Sequence, residues 1–276
     1  MNPIYQLHLD NPSRSKTDLC RVSNDAAGAL QASLYLYDVI SADWGISATQ
    51  VIAAIEQAQR AGDITVLNLY INSPGGDVFE ARAIMAALQR FPGQTVAHID
   101  ALCASAATSI ALACSEVRMS AGALFMIHNA SGAVWGDKTA MRDTADLLQK
   151  VELAIVNDYT RKTQKTPQDI MAMMDAETWM TAEEALAHGF IDQITPVQRS
   201  ANQSGQPSNT APQWNLSVFP KAPQVQLNPE PPALPQVDDE LEASHDHTEE
   251  QDQLTQATNK AQSQSHANRV RLLELL

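Results

Sequence analysis

Two hydrophobic rhythms alternate along the first 195 residues of the chain and then stop. Short β-rich or wholly apolar runs mark strands at Ser33–Tyr37, Ile64–Ile71, Thr95–Cys103, Glu116–Met119 and Leu124–Ile127. Between them the apolar positions fall at helical spacing. Val51, Ile52, Ile55 and Ala58 follow a capping Ser47, and Val78, Ala81, Met85 and Leu88 stripe a helix from Asp77 to Arg90. A longer helix is expected from about Asp137 to Thr163, with Met141, Ala145, Leu148, Val151, Ile155 and Tyr159 on one continuous face. Thr166-Pro167-Gln168-Asp169 and Thr181-Ala182-Glu183-Glu184 read as capping boxes, and Gly189 closes the short helix after the second. Strands alternating with helices at this rhythm predict an α/β fold with a largely parallel sheet.

The pattern divides the chain into three. Residues 1–30 are mixed and receive no assignment, residues 31–195 carry the α/β pattern, and residues 196–276 form a tail. The tail is rich in Pro, Gln, Asn and Ser, with an acidic run from Asp238, and buries too little apolar surface to offset its ordering entropy. It is therefore expected to be disordered. Its last residues, Asn268 to Leu276, suit either a short amphipathic helix or a frayed end.

Composition narrows the function. A net charge of −14 argues against a nucleic-acid partner, because phosphate contacts need clustered Lys and Arg. No apolar run is long enough to span a membrane and the start carries no secretory pattern, so a cytoplasmic protein is expected. Cys20, Cys103 and Cys114 are too few for a disulfide framework. No metal-ligand spacing and no nucleotide-binding loop occur, so no cofactor is implied.

The chemistry concentrates where a strand runs into the small-residue stretch Leu102-Cys103-Ala104-Ser105-Ala106-Ala107-Thr108-Ser109. Small residues there suit a helix packed close to a sheet. They also place Ser105 at a strand-to-helix corner, beside backbone N–H groups that have no intrahelical partner and favour negative charge. A serine nucleophile needs a base that is itself oriented by a third group. Of the candidate histidines His8, His98, His128 and His188, His98 lies inside a strand and His188 is explained by a helix end. His128 ends an apolar strand before a glycine-containing loop, where α/β folds build sites. Asn72-Ser73-Pro74-Gly75-Gly76 is a strand-to-helix loop. If it faces Ser105, the Gly75 and Ala106 N–H groups make an oxyanion hole.

Four stretches in order carry a family resemblance: Tyr70-Ile71-Asn72-Ser73-Pro74-Gly75-Gly76, Ala104-Ser105-Ala106-Ala107, Met126-Ile127-His128, and Trp179-Met180-Thr181-Ala182-Glu183-Glu184-Ala185 with Gly189-Phe190-Ile191-Asp192. Over roughly residues 34–194 the chain resembles the Clp protease proteolytic subunit. The resemblance implies a crotonase-like α/β spiral and a serine peptidase that works inside an oligomeric chamber on protein or peptide substrates. It implies Ser105 as nucleophile, His128 as base, and Gly75 and Ala106 as oxyanion-hole donors. The third member departs from the pattern: the match puts Glu177 where the family has aspartate, with Asp175 as the fallback. The long polar tail resembles the branch of phage and prophage head maturation proteases, which implies scaffold or capsid proteins as substrates. By analogy, the helix around residues 141–159 is the handle through which ring subunits interleave. Whether an ATP-driven unfoldase docks is left open, because residues 1–30 do not match the family's axial segment.

Three other readings remain. An acyl-coenzyme A hydratase or isomerase shares the fold and the oxyanion loop but needs no serine. A serine–lysine peptidase would use Lys138 or Lys150 as base. A non-catalytic capsid assembly or scaffolding protein would keep the fold for ring formation alone.

Overall fold

Why the chain turns where it does is explained by its caps and glycines. In the computed structural model, which describes residues 3–11, 19–25, 27–196 and 214–223, fifteen elements follow one another: α1 (Pro3–Asp10), β1 (Cys20–Asn24), β2 (Leu30–Leu36), α2 (Ala48–Ala61), β3 (Val66–Ser73), α3 (Val78–Arg90), β4 (Gln94–Ala104), α4 (Ala106–Leu112), β5 (Glu116–Ser120), β6 (Leu124–Ile127), α5 (Lys138–Thr163), α6 (Pro167–Asp175), β7 (Thr178–Met180), α7 (Ala182–Ala187) and β8 (Gln193–Thr195). Ser47 and Gln50 close a capping box on α2, and Thr181 and Glu184 close another on α7. Asp77 caps α3, Asp137 caps α5, and Thr166 caps α6 with Pro167 in its first turn.

The sheet has eight strands in the order β1-β2-β3-β4-β5-β8, with β6 pairing β4 and β7. Every pairing is parallel except the two outer ones, β1 with β2 and β6 with β7. The largely parallel sheet expected from the alternating pattern is present, and its strands are correspondingly apolar. The eleven-residue β4 is its hinge: its first half pairs β5 at Val96–Ile99 and its end pairs β6 at Leu102–Ala104.

That split makes two apolar clusters. The main core packs β2, β3 and β4 against α2, α3 and α4, and includes Leu34, Leu69, Ile71, Ile84 and Ile99, all fully buried. Truncating one of these to Ala would cost roughly 2–5 kcal/mol. A second, smaller cluster lies beyond the end of β4, where Leu102, Ala104 and Met126 meet Leu7 of α1, Val39 and Phe219. Leu102, Cys103 and Ala104 are therefore all buried, because both faces of the strand are covered just before Ser105.

Three features differ from the pattern-based reading. Residues 1–30, left unassigned, contain α1 and β1. The expected continuous face of α5 is buried only in its last third, at Ile155, Val156 and Tyr159, while Met141 and Ala145 are exposed. Among the described residues, the first turns of α5 bury no side chain against the core. Residues 214–223, placed in the disordered tail, are packed against the α/β unit, which as a compact body extends to Gln224. The rest of the tail, with the terminal helix expected near residues 268–276, lies outside the described residues.

Candidate active site

Ser105 is the single residue between β4 and α4, and the corner bends its backbone to φ 53°, ψ −127°. A non-glycine residue at positive φ costs about 1–3 kcal/mol and persists only where its surroundings over-determine it. Here they do. The Ser105 N–H donates to the Met126 carbonyl at 2.9 Å, and its carbonyl accepts from Thr108 Oγ1 at 2.6 Å. With the Thr108 proton committed there, the buried Tyr159 hydroxyl donates to Thr108 Oγ1 at 2.6 Å. The strained elbow is thus pinned from β6 and from α5.

β6 delivers the base as well. His128, one residue past its end, places Nε2 2.8 Å from Ser105 Oγ. Burial pushes the imidazole pKa below its ordinary value, with the nearby Glu177 carboxylate pulling the other way. The neutral ring is the form that can accept the serine proton. The other histidines stand elsewhere: His98 stacks on Tyr70 and meets Asn68 Oδ1, and His188 caps α7.

Gly75 comes against this corner. A Cβ on it would lie 2.8 Å from both Ser105 Cβ and the Ala106 nitrogen, and its φ is +89°, so the close approach needs glycine. The N–H of Gly75, expected as an oxyanion donor, is engaged within its own loop, however. The Gly75 N–H donates to Ser73 Oγ at 3.1 Å, and Ser73 in turn donates to the Asp38 carbonyl. Gly76 lines the cavity beside Ser105, and its N–H has no partner among the described residues, as is also true of Ala106 at the first position of α4. Sequence could not separate the two glycines, because the choice depends on where the Ser73 hydroxyl turns.

The acid is the unfinished part. Glu177 follows α6 at φ 48°, and its Oε1 accepts from Trp179 Nε1 at 3.1 Å and from the Lys221 N–H at 2.8 Å. Its charge reaches His128, yet His128 Nδ1 has no hydrogen-bond partner among the described residues. Asp175, the fallback, accepts from Asn129 Nδ2 at 2.7 Å. Lys138 and Lys150 are exposed on α5 and neither lines the cavity.

A cavity of about 140 Å³ opens beside Ser105 and His128, walled by Met85, Ile155 and Tyr159, with the Arg82–Asp158 ion pair at its side. Ile4 of α1 also reaches it. Neither α1 nor residues 214–223 were anticipated at the site. A signal for the latter was present, since Trp214 and Phe219 are the only aromatic residues after Pro196. Among the described residues no group of His, Cys, Asp and Glu is arranged to hold a metal ion, and no helix is long and apolar enough to cross a membrane.

Comparison with known proteins bears on the family and the fold. The family model described as Clp protease matches residues 15–198. The ATP-dependent Clp protease proteolytic subunit 2 of Thermobifida fusca is 34% identical over 139 residues, covering 49% of this chain and 66% of that protein, just under two thirds. The ATP-dependent Clp protease proteolytic subunit of Streptococcus gordonii is 30% identical over 151 residues, covering 53% of this chain and 77% of that protein. Among solved structures, a ClpP1 point mutant from Listeria monocytogenes superposes with a TM-score of 0.53 at 19% identity, over 59% of this chain and 91% of the other, which shows the crotonase-like α/β fold. The chain belongs to the Clp protease family.

Proposed function

We propose that this chain is a serine endopeptidase in which Ser105 is the nucleophile, His128 the general base and Glu177 the acid that orients it. The observation that carries the reading is the 2.8 Å contact between Ser105 Oγ and His128 Nε2 at a strained strand-to-helix corner. Oγ attacks the scissile carbonyl as Nε2 takes its proton, and Nε2 later returns that proton to the leaving amine. The Ala106 and Gly76 N–H groups, with the positive end of α4 behind the first, receive the oxyanion. Glu177 stabilises the imidazolium by charge, and completes the triad if its carboxylate turns to Nδ1. An acyl-coenzyme A enzyme would have no use for the Ser105–His128 contact, and a serine–lysine pair has no lysine at the cavity.

Protein substrates are proposed, and scaffold or capsid proteins of a phage-type head as the specific class, on the strength of the resemblance and of the long polar tail. Homo-oligomeric rings are proposed because Met141, Leu147 and Leu153 are exposed on α5. The relatives' names call them ATP-dependent; for this chain an ATP-driven unfoldase is a partner to be tested by adding ATPase to the assay. Cleavage of a fluorogenic peptide pool and of a candidate capsid protein by wild type beside Ser105→Ala tests the reading. Signal that disappears in Ser105→Ala establishes the peptidase. An assembled but inert wild type would make the chain an assembly protein with a retained fold.

A further inference from the structure

We propose that residues 214–223 are a tethered inhibitor, a strap seated with α1 against the His128 ring and the Glu177 carboxylate. The proposal rests on the peptidase reading above and concerns the regulation of that site. Four observations carry it.

The strap touches the catalytic ring. Phe219 is only 8% exposed. Its ring meets His128 edge-on with centroids 5.4 Å apart, and meets Trp179 at 5.9 Å. It is the central side chain of the second apolar cluster, among Leu7, Val39, Leu102, Ala104 and Met126. A polar tail thus spends one of its two aromatic residues on a histidine that should otherwise face substrate.

The strap also holds the acid. The Lys221 N–H donates to Glu177 Oε1 at 2.8 Å, and Lys221 Nζ donates to the neighbouring Ala176 carbonyl at 2.5 Å. Lys221 and Trp179 Nε1 both hold Oε1, and in the orientation they fix the carboxylate makes no hydrogen bond to His128 Nδ1 among the described residues. Seating the strap thus favours an orientation of Glu177 other than the one that closes the triad.

Its other end is latched. Trp214 Nε1 donates to Asn72 Oδ1 at 2.9 Å, just before the Ser73–Gly76 loop. Asn11 and Asn215 bond reciprocally, the Asn215 N–H donating to Asn11 Oδ1 at 2.7 Å and Asn11 Nδ2 to the Asn215 carbonyl at 3.2 Å. These contacts bind the strap to α1, whose Ile4 reaches the cavity.

Finally, the strap is folded as a ligand and not laid out as a substrate. Its N–H groups close on its own carbonyls, Phe219 to Leu216 at 2.9 Å and Ala222 to Phe219 at 3.2 Å. This coiled backbone offers no extended segment across Ser105. Because the strap belongs to the same chain as its seat, its docking is intramolecular and does not depend on protein concentration.

The test uses the full chain. Trp214→Ala combined with Phe219→Ala is expected to raise kcat/KM for an unstructured fluorogenic peptide about tenfold or more, and to speed labelling of Ser105 by a fluorophosphonate to the same degree. A synthetic peptide of residues 214–223 should then inhibit the double variant and bind it in an anisotropy titration. Should the double variant lose cooperative melting, Trp214→Ala alone, which leaves Phe219 in place, is expected to show a smaller rise. Turnover and labelling equal to an active wild type overturn the proposal, as does failure of the peptide to bind. If neither protein turns over or labels while the peptide still binds, the peptidase reading falls and inhibition with it, leaving a docking seat without chemistry.

Discussion

On one side of the His128 imidazole the Ser105 hydroxyl is fixed by the core; on the other the Glu177 carboxylate is held by groups at the surface. Both residues sit at positive φ, 53° and 48°, and only Gln164 shares that feature among described non-glycine residues. Their supports differ. Ser105 is anchored by Met126, Thr108 and, through Thr108, the buried Tyr159. Glu177 is anchored by Trp179 and by Lys221, the latter from residues 214–223, which among the described residues form no strand or helix. On the proposed roles, a core-built nucleophile is always ready, whereas an acid held by a strap is ready only when the strap leaves. Under that proposal the part of the triad that must be rigid is separate from the part that can be switched.

Removing the nucleophile should have the largest effect. Ser105→Ala is expected to lower turnover by up to about a millionfold, read with the fluorogenic peptide, while the melting temperature changes little, because alanine keeps the Cβ and the same backbone strain at positive φ. On the acid side, Glu177→Gln should cost about 10³–10⁴-fold in the strap-released variant, the size seen when a triad acid is neutralised. In the strapped wild type the same change should cost far less, because the carboxylate is not bonded to Nδ1 there. Asp175→Asn should leave kcat within a few-fold in both, since that carboxylate is spent on Asn129. A reversal of the two acids would break the comparison outright.

The core side is also the side that could be read in the sequence. Strand β4, the Ser105 corner and His128 after β6 follow from apolar runs, small residues and a strand end, all set by local pattern. The chain-order match adds Glu177 by position. What pattern did not reveal was set by long-range contacts: the Gly75 N–H turning to Ser73 Oγ, the uncovered first turns of α5, and the strap. Residues 214–223 sit in a stretch whose composition argues for disorder, and composition averages over the two aromatic anchors that seat it. A ten-residue ligand needs only a few buried side chains, too few to alter a tail of 81 residues in bulk.

A smaller effect sharpens the nucleophile side. Gly75→Ala puts a methyl 2.5 Å from the Ala104 carbonyl oxygen and 2.8 Å from the Ala106 nitrogen, both backbone atoms that cannot swing away. The loop or the elbow must shift, and a displacement of about 1 Å at the reacting groups costs about 10²-fold. Gly28→Ala is the control. It has similar positive φ, +85°, but open space around it, so it should carry about 1–2 kcal/mol of backbone strain in the melt and no change in activity.

The pH profile gives the finest discrimination between the two sides of the ring. Burial lowers the His128 pKa and Glu177 raises it in part, with burial the larger cause. The acid limb of kcat/KM should therefore lie below the ordinary histidine value of 6.5, activity being lost as pH falls through the depressed pKa. The same sign governs stability. The unfolded chain binds the proton more readily, so the histidine's contribution is complete above 6.5 and is lost as pH falls from there toward the native value. Glu177→Gln removes the raising charge and should move the limb further down. Phe219→Ala exposes the ring to water and frees the carboxylate to approach, so both causes move the limb up. A limb that moves the same way in both variants would mean that the strap and the acid do not act on opposite sides of one equilibrium, and the contrast between a fixed serine and a switched acid would fail.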